Sequence, residues 1–253
     1  MSGFAEYWSS PISGRPQVRA SLAALGVCIG GFVAGLIGIL ILRVVLTPAI
    51  TDTDVFRVVS GNLIQVGFAA FAIIYLLRQQ NRGRFVKIRR PTLEDLAWII
   101  VIPPIVFITG EVVVTPGLTT LGFPEPMPGG EGESLALVTR PALWPVALVG
   151  LYIFAAPAEE LIYRGIIHGW LREAFDLAGV VLLGGALFGL MHVIVGLVTP
   201  AVGLAGSLHW GIAAVVPGLL LGYVYERTEN LLVPSVMHAI SWTIPFSAFI
   251  PFI

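Results

Sequence analysis

Long apolar runs, nearly free of charge, alternate along the chain with short breaks rich in arginine, glycine and proline. The runs fall at about Ala20–Leu46, Val55–Leu77, Leu96–Val114, Ala142–Leu171, Leu177–Val198, Leu208–Tyr225 and Leu231–Ile250. Each approaches or exceeds the roughly 20 apolar residues that a helix needs to cross a bilayer. They are continuous rather than alternating in ten-residue segments, which excludes a transmembrane β-barrel. The pattern predicts an all-α fold, a polytopic transmembrane helical bundle of about seven spans, or eight. The Gly/Pro-rich stretch Gly196–Gly206 has room for a re-entrant segment. Pro157 predicts a kink in the fourth run that frees a backbone carbonyl. Gly26-x-x-x-Gly30 and Gly31-x-x-x-Gly35 in the first run predict close helix packing, with a dimer face as the lesser alternative.

Composition narrows the class. Of 253 residues, 57% are hydrophobic and only 11% charged, whereas soluble domains carry about 25% charge. A water-soluble enzyme is excluded, and so is a disordered chain. The net charge of −1 gives no electrostatic case for nucleic acid. The single cysteine, Cys28, can form no internal disulfide and reads as a small buried hydrophobe. Met1–Arg19 lacks the short apolar core and cleavage site of a signal peptide, so the first span is expected to stay in the mature protein. The segment Arg78–Arg90 carries Arg78, Arg82, Arg84, Lys87, Arg89 and Arg90 and no acid. The positive-inside rule places it in the cytoplasm, with the N-terminus on the same side, as Arg15 and Arg19 agree. Thr115–Pro141, with Glu125, Glu131, Glu133 and only Arg140 against them, then falls outside, and seven spans put the C-terminus outside as well. The expected setting is integral, in a prokaryotic plasma membrane.

The fourth run contains Ala158-Glu159-Glu160-Leu161-Ile162-Tyr163-Arg164. A charge at the centre of a membrane helix costs roughly 2.5–3.5 kcal/mol even on a lenient scale, so such groups persist when paired or used. Glu160 and Arg164 lie four apart and share a helix face. Glu159, rotated by about 100°, is left spare. The bland reading puts both carboxylates in solvent at the interface. His192, in the fifth run, and Glu160 are equidistant from the polar turn near Asp176, which brings them to one level of an antiparallel hairpin. His238, in the last run, falls at a broadly similar depth. Acids, a base and imidazoles in a site of low dielectric suit general acid–base hydrolysis. Two histidines and a carboxylate also make a plausible Zn²⁺ site, though the metal-free reading is favoured and no cofactor is expected. No HExxH motif or GxSxG elbow is present. His168 is read as packing, His209 as interfacial, and Glu111 and Arg43 as snorkelling near the outer ends of spans.

Glu159-Glu160-x-x-x-Arg164, then Phe188-x-x-x-His192, then His238 resembles the CAAX protease and bacteriocin-processing family (CPBP, or Abi) of intramembrane glutamic proteases. The resemblance covers about Ala142 to Ser241. It implies that one glutamate of the pair activates water, that Arg164 supports the carboxylates, that His192 orients the water and that His238 is the histidine of the last motif. Residues 142–253 would form the family-like core, behind a three-span region, 1–141, without family motifs. The implied activity is an endopeptidase acting on a membrane-embedded or lipid-modified protein. Four residues after the last histidine the family has Asn or Asp, whereas here Trp242 stands. An indole N–H donates but does not reproduce a carboxamide. Loss of an oxyanion donor costs about 10²–10³ in rate. The alternatives are therefore a catalytically impaired scaffold or subunit of a membrane complex and, below it, a proton-relaying transporter.

Overall fold

The computed structural model describes residues 15–125, 141–199 and 202–244. Glu131, Glu133 and Arg140 of the acidic loop, residues 1–14 and the last part of the seventh run lie outside the described residues.

Pro16 opens α1 (Pro16–Val45), at a position whose N–H would be unpaired in any helix. Two short helices, α2 (Pro48–Thr51) and α3 (Asp54–Ser60), lead through a turn at residues 61–63 into α4 (Ile64–Leu77). Then follow α5 (Leu93–Thr120), α6 (Pro141–Leu171), α7 (Leu177–Val198), α8 (Gly203–Thr228) and α9 (Leu232–Thr243). Thr92 and Asp95 start α5 with a reciprocal capping box, and Asp176 caps α7 through the Gly179 amide. Glu229 ends α8 at φ 48°, in the left-handed region.

Five helices, α1, α5, α6, α7 and α8, are long and apolar enough to cross a membrane. Side chains such as Leu40, Val44, Ile100 and Ile153 stand exposed along them, a belt that only lipid can cover. The protein is an integral membrane protein with a polytopic helical fold. Its second predicted run is broken at residues 61–63, and α9 is a short helix over the described part of the seventh. Residues 203–206, expected as a possible re-entrant segment, form the first turn of α8, while residues 200–201 lie outside the described set. The irregularity at Pro157 takes the form of π-type turns, Gly150–Ala155 before it and Leu161–Ile167 after it, and α6 continues through both. Such turns re-satisfy the backbone around a proline.

Small residues let the helices touch. A Cβ on Gly67 of α4 would fall on the Ala34 carbonyl of α1, and one on Gly35 would meet Ile64 and Phe68. Gly30, Gly31 and Gly35 of α1 thus pack against α4 and α6 within the chain, whereas Gly26 of the first spacing meets nothing within 4 Å. In the α7–α8 pair, a Cβ on Gly189 would lie 2.6 Å from the Gly211 carbonyl oxygen.

One end of the bundle gathers the starts of α1, α5, α7 and α9 and the ends of α4, α6 and α8. Ion pairs stitch it: Glu173 with Arg19 and Arg84, Glu226 with Arg172, Asp95 with Arg89, and Glu229 with Lys87. The basic segment between α4 and α5 lies across this end. Its Phe85 is buried against Tyr75 and Trp170, and the Phe85 carbonyl accepts from the Tyr225 hydroxyl at 3.2 Å. Gly165 and Gly169 of α6 present bare backbone to that segment.

Candidate active site

The helical turn Ala156–Glu160 and the π-type turn Leu161–Ile167 after it carry Glu159, Glu160, Tyr163 and Arg164 on the buried side of α6, where Glu160 is 0% and Arg164 1% exposed. Isolated charges at that burial would be very costly, so partners are required. Glu160 Oε1 accepts from Arg164 Nη1 at 2.9 Å and pairs with His238 Nδ1 at 2.8 Å. Arg164 Nη2 reaches the carbonyls of Pro217 and Gly218 on α8, each at 3.3 Å. The guanidinium also lies 4.8 Å from the Phe188 ring centroid.

Glu159 is not spare. Its Oε1 accepts from Gln65 Nε2 of α4 at 2.7 Å, and its Oε2 stands 3.9 Å from His238 Nε2. His238 therefore bridges the two carboxylates. With Nδ1–H donated to Glu160, its Nε2 faces Glu159 across a gap too long for a direct bond and wide enough for one bridging water. His192 pairs Nδ1 with its own helix at the Phe188 carbonyl, 2.8 Å, and a carbonyl can only accept. That fixes Nδ1 as the protonated nitrogen of the neutral ring and leaves Nε2 as a base. The hairpin argument paired His192 with Glu160. The structure instead gives Glu160 to His238, while His192 stands on the cavity wall with Glu159.

That cavity has a volume of 770 Å³ and is walled by α3, α4 and their turn, the first half of α6, α7, α8 and the end of α9. Glu159, Tyr163, His192, Trp210 and Trp242 face it. The Trp242 ring lies 4.1 Å from that of His238 and the side chain is partly exposed, so it shields one face of the imidazole without filling the cavity. All five predicted site residues converge: Glu160, Arg164 and His238 by direct hydrogen bonds, Glu159 across 3.9 Å from His238, and His192 on the cavity wall with Glu159. Among the described residues, no three of His, Cys, Asp and Glu are grouped as metal ligands. The arrangement can hold a water between a carboxylate and an imidazole while a second, ion-paired carboxylate fixes that imidazole.

Sequence reasoning missed Gln65. The available signal was a lone amide in an apolar helix, as hard to leave unpartnered in lipid as any polar group. His209, read as interfacial, lies in the second turn of α8 at the end remote from the basic segment and is buried there: its Nδ1 bonds the Phe123 carbonyl at 2.9 Å and its Nε2 lies 3.5 Å from Thr115 Oγ1. His168 is packing, buried against Gly184 and Gly222 and paired with Glu226 at 2.7 Å. Glu111 and Arg43 are exposed.

The fold and the site define a polytopic membrane bundle with a buried glutamate pair, an arginine and two histidines beside a cavity. Residues 141–244 match the model of the Rce1-like family, described as type II CAAX prenyl endopeptidase Rce1-like. No curated protein and no solved structure matches the chain.

Proposed function

We propose that the protein is an intramembrane endopeptidase of the glutamic type, acting on a membrane-embedded or lipid-modified protein. The observation that carries the reading is the bridge of His238 between two buried carboxylates at the wall of the cavity. Glu159, the member of the pair that faces the cavity, takes a proton from water. The resulting hydroxide attacks the scissile carbonyl carbon. On collapse of the tetrahedral intermediate that proton passes to the departing amine, with His192 Nε2 positioned to carry it. Glu160 is fully buried and held by Arg164, so its role is to fix His238 rather than to meet substrate. The family's activity supports this reading at the level of class.

The test is cleavage of fluorescence-quenched peptides by the purified protein in lipid vesicles. Glu159→Gln is isosteric and should abolish turnover, while thermal stability stays near that of the parent. Undiminished turnover in Glu159→Gln overturns the glutamic mechanism. A second reading, a scaffold that retains the fold without the chemistry, draws on Trp242, which covers the His238 face where the family has a carboxamide or carboxylate.

A further inference from the structure

We infer that the cavity takes its substrate from the extracytoplasmic side of the membrane. Its substrate class is then the membrane-proximal segment of an anchored protein presented at the outer leaflet, not a prenylated C-terminus presented at the inner one. The substrate half of this inference rests on the endopeptidase reading above; the sidedness does not.

Two independent observations meet here. The first is where the cavity lies. Among its lining residues, Tyr163 is the one on α6 closest to the end at Leu171, and a rise of 1.5 Å per residue still leaves it roughly 12 Å short. Met191, His192 and Val195 lie about 21 Å or more from the start of α7 at Leu177. Trp210 is about 27 Å from the end of α8, and Trp242 is one residue from the end of α9. The cavity thus occupies the half of the bundle remote from the basic end. Below it Tyr163, Arg164, Phe188, Leu221 and Tyr225 are all at most 2% exposed. Phe85 and its segment close the basic end itself. At the remote half the rim residue Gly61 is exposed, and the wall residues Val149 and Ile153, 62% and 74% exposed, border the lipid-facing belt.

The second observation is charge. The closed end carries Arg78, Arg82, Arg84, Lys87, Arg89 and Arg90 in one short segment, besides Arg15, Arg19, Arg172 and Arg227. At the other end the described basic residues are Arg43 and Arg57, among Asp52, Asp54, Glu111 and Glu125. Short-loop Lys/Arg bias of this size sets orientation, and it puts the closed end in the cytoplasm. The scissile bond must then enter from the outer leaflet or the space beyond it.

Cysteine labelling tests the sidedness without any activity. Cys28 is fully buried and stays silent as an internal control. Asn62→Cys marks the cavity rim, and Gly83→Cys marks the basic segment, where a Cβ meets nothing closer than 3.8 Å. With a membrane-impermeant maleimide, Asn62→Cys should label in intact bacterial cells and Gly83→Cys only in inside-out vesicles. The reverse pattern overturns the inference. Paired single-span reporters then test the substrate class, carrying the same apolar segment just beyond the outer or the inner leaflet. Cleavage confined to the outer reporter and lost in Glu159→Gln supports it; cleavage of the inner one alone overturns it. Outward labelling with neither reporter cut removes the endopeptidase reading, and the substrate class with it, while the sidedness stands.

Discussion

Gln65→Leu separates a residue that positions the chemistry from one that holds the fold. Gln65 Nε2 donates to Glu159 Oε1 at 2.7 Å, while Gln65 Oε1 is buried with no partner. A hydrogen bond to a charged group is worth about 1.5–3 kcal/mol, and a buried acceptor left unpaired costs about 1–3 kcal/mol. Leucine matches the volume, removes the bond to ionised Glu159 and also removes the unpaired oxygen. The two stability effects oppose each other, so the melting temperature in detergent should stay close to the parent's. The activity effects do not cancel. If Glu159 must be held ionised and aimed at the water, losing 1.5–3 kcal/mol lowers kcat by roughly 10- to 100-fold, at about 1.4 kcal/mol per decade. KM should hold, since the amide is committed to Glu159. Gln65→Glu sets carboxylate against carboxylate and should be worse still. The assay is peptide turnover in vesicles beside thermal unfolding of the same preparations. Parent-like kcat in a well-folded Gln65→Leu protein refutes the positioning role, and a matching collapse of stability would make the residue structural instead.

Two further outcomes are expected. Gly67→Ala pushes a Cβ into the Ala34 carbonyl, backbone that cannot rotate away, and overpacking of this kind costs about 1–3 kcal/mol or more. Gly26→Ala, whose Cβ meets nothing within 4 Å, should be neutral or stabilising, and equal melting temperatures for the two would contradict the α1–α4 packing. Trp242→Asn restores a carboxamide one turn beyond His238. If it supplies an oxyanion donor, peptide turnover should rise by up to about 10²–10³. Turnover that stays at zero in both proteins favours the scaffold reading.

The run Leu177–Val198 matches α7 end to end because its polar turn and its Asp176 cap are both written locally. The break at residues 61–63 was marked more weakly, by Ser60-Gly61-Asn62, and the apolar residues on both sides let the run read through it. Glu159, Glu160, Arg164 and His238 were legible because buried charge is costly and their spacing is local or ordered. Who pairs with whom was not. Equal distance from a turn sets depth but not rotation about the helix axis, so it set His192 opposite Glu160 where His238 stands. The partners of Gln65 and Phe85 were illegible for a different reason: Glu159 lies 94 residues from Gln65, and Tyr225 lies 140 from Phe85.

Those same two residues explain why residues 15–125 belong with the site although the family match begins at residue 141. Gln65 satisfies the carboxylate that the matched region leaves without a local partner. The turn before it forms the rim of the cavity. Phe85 fills the bare backbone of Gly165 and Gly169, within about a turn and a half beyond Arg164, and so closes the end nearest the ion pair. Removing that plug would let water reach Arg164 and Glu160 from the basic end. Their interaction would weaken as the local dielectric rose, and His238 would lose the fixed acceptor that orients it. The segment that makes the orientation legible through its charges is therefore also the one that keeps the site dry from that side.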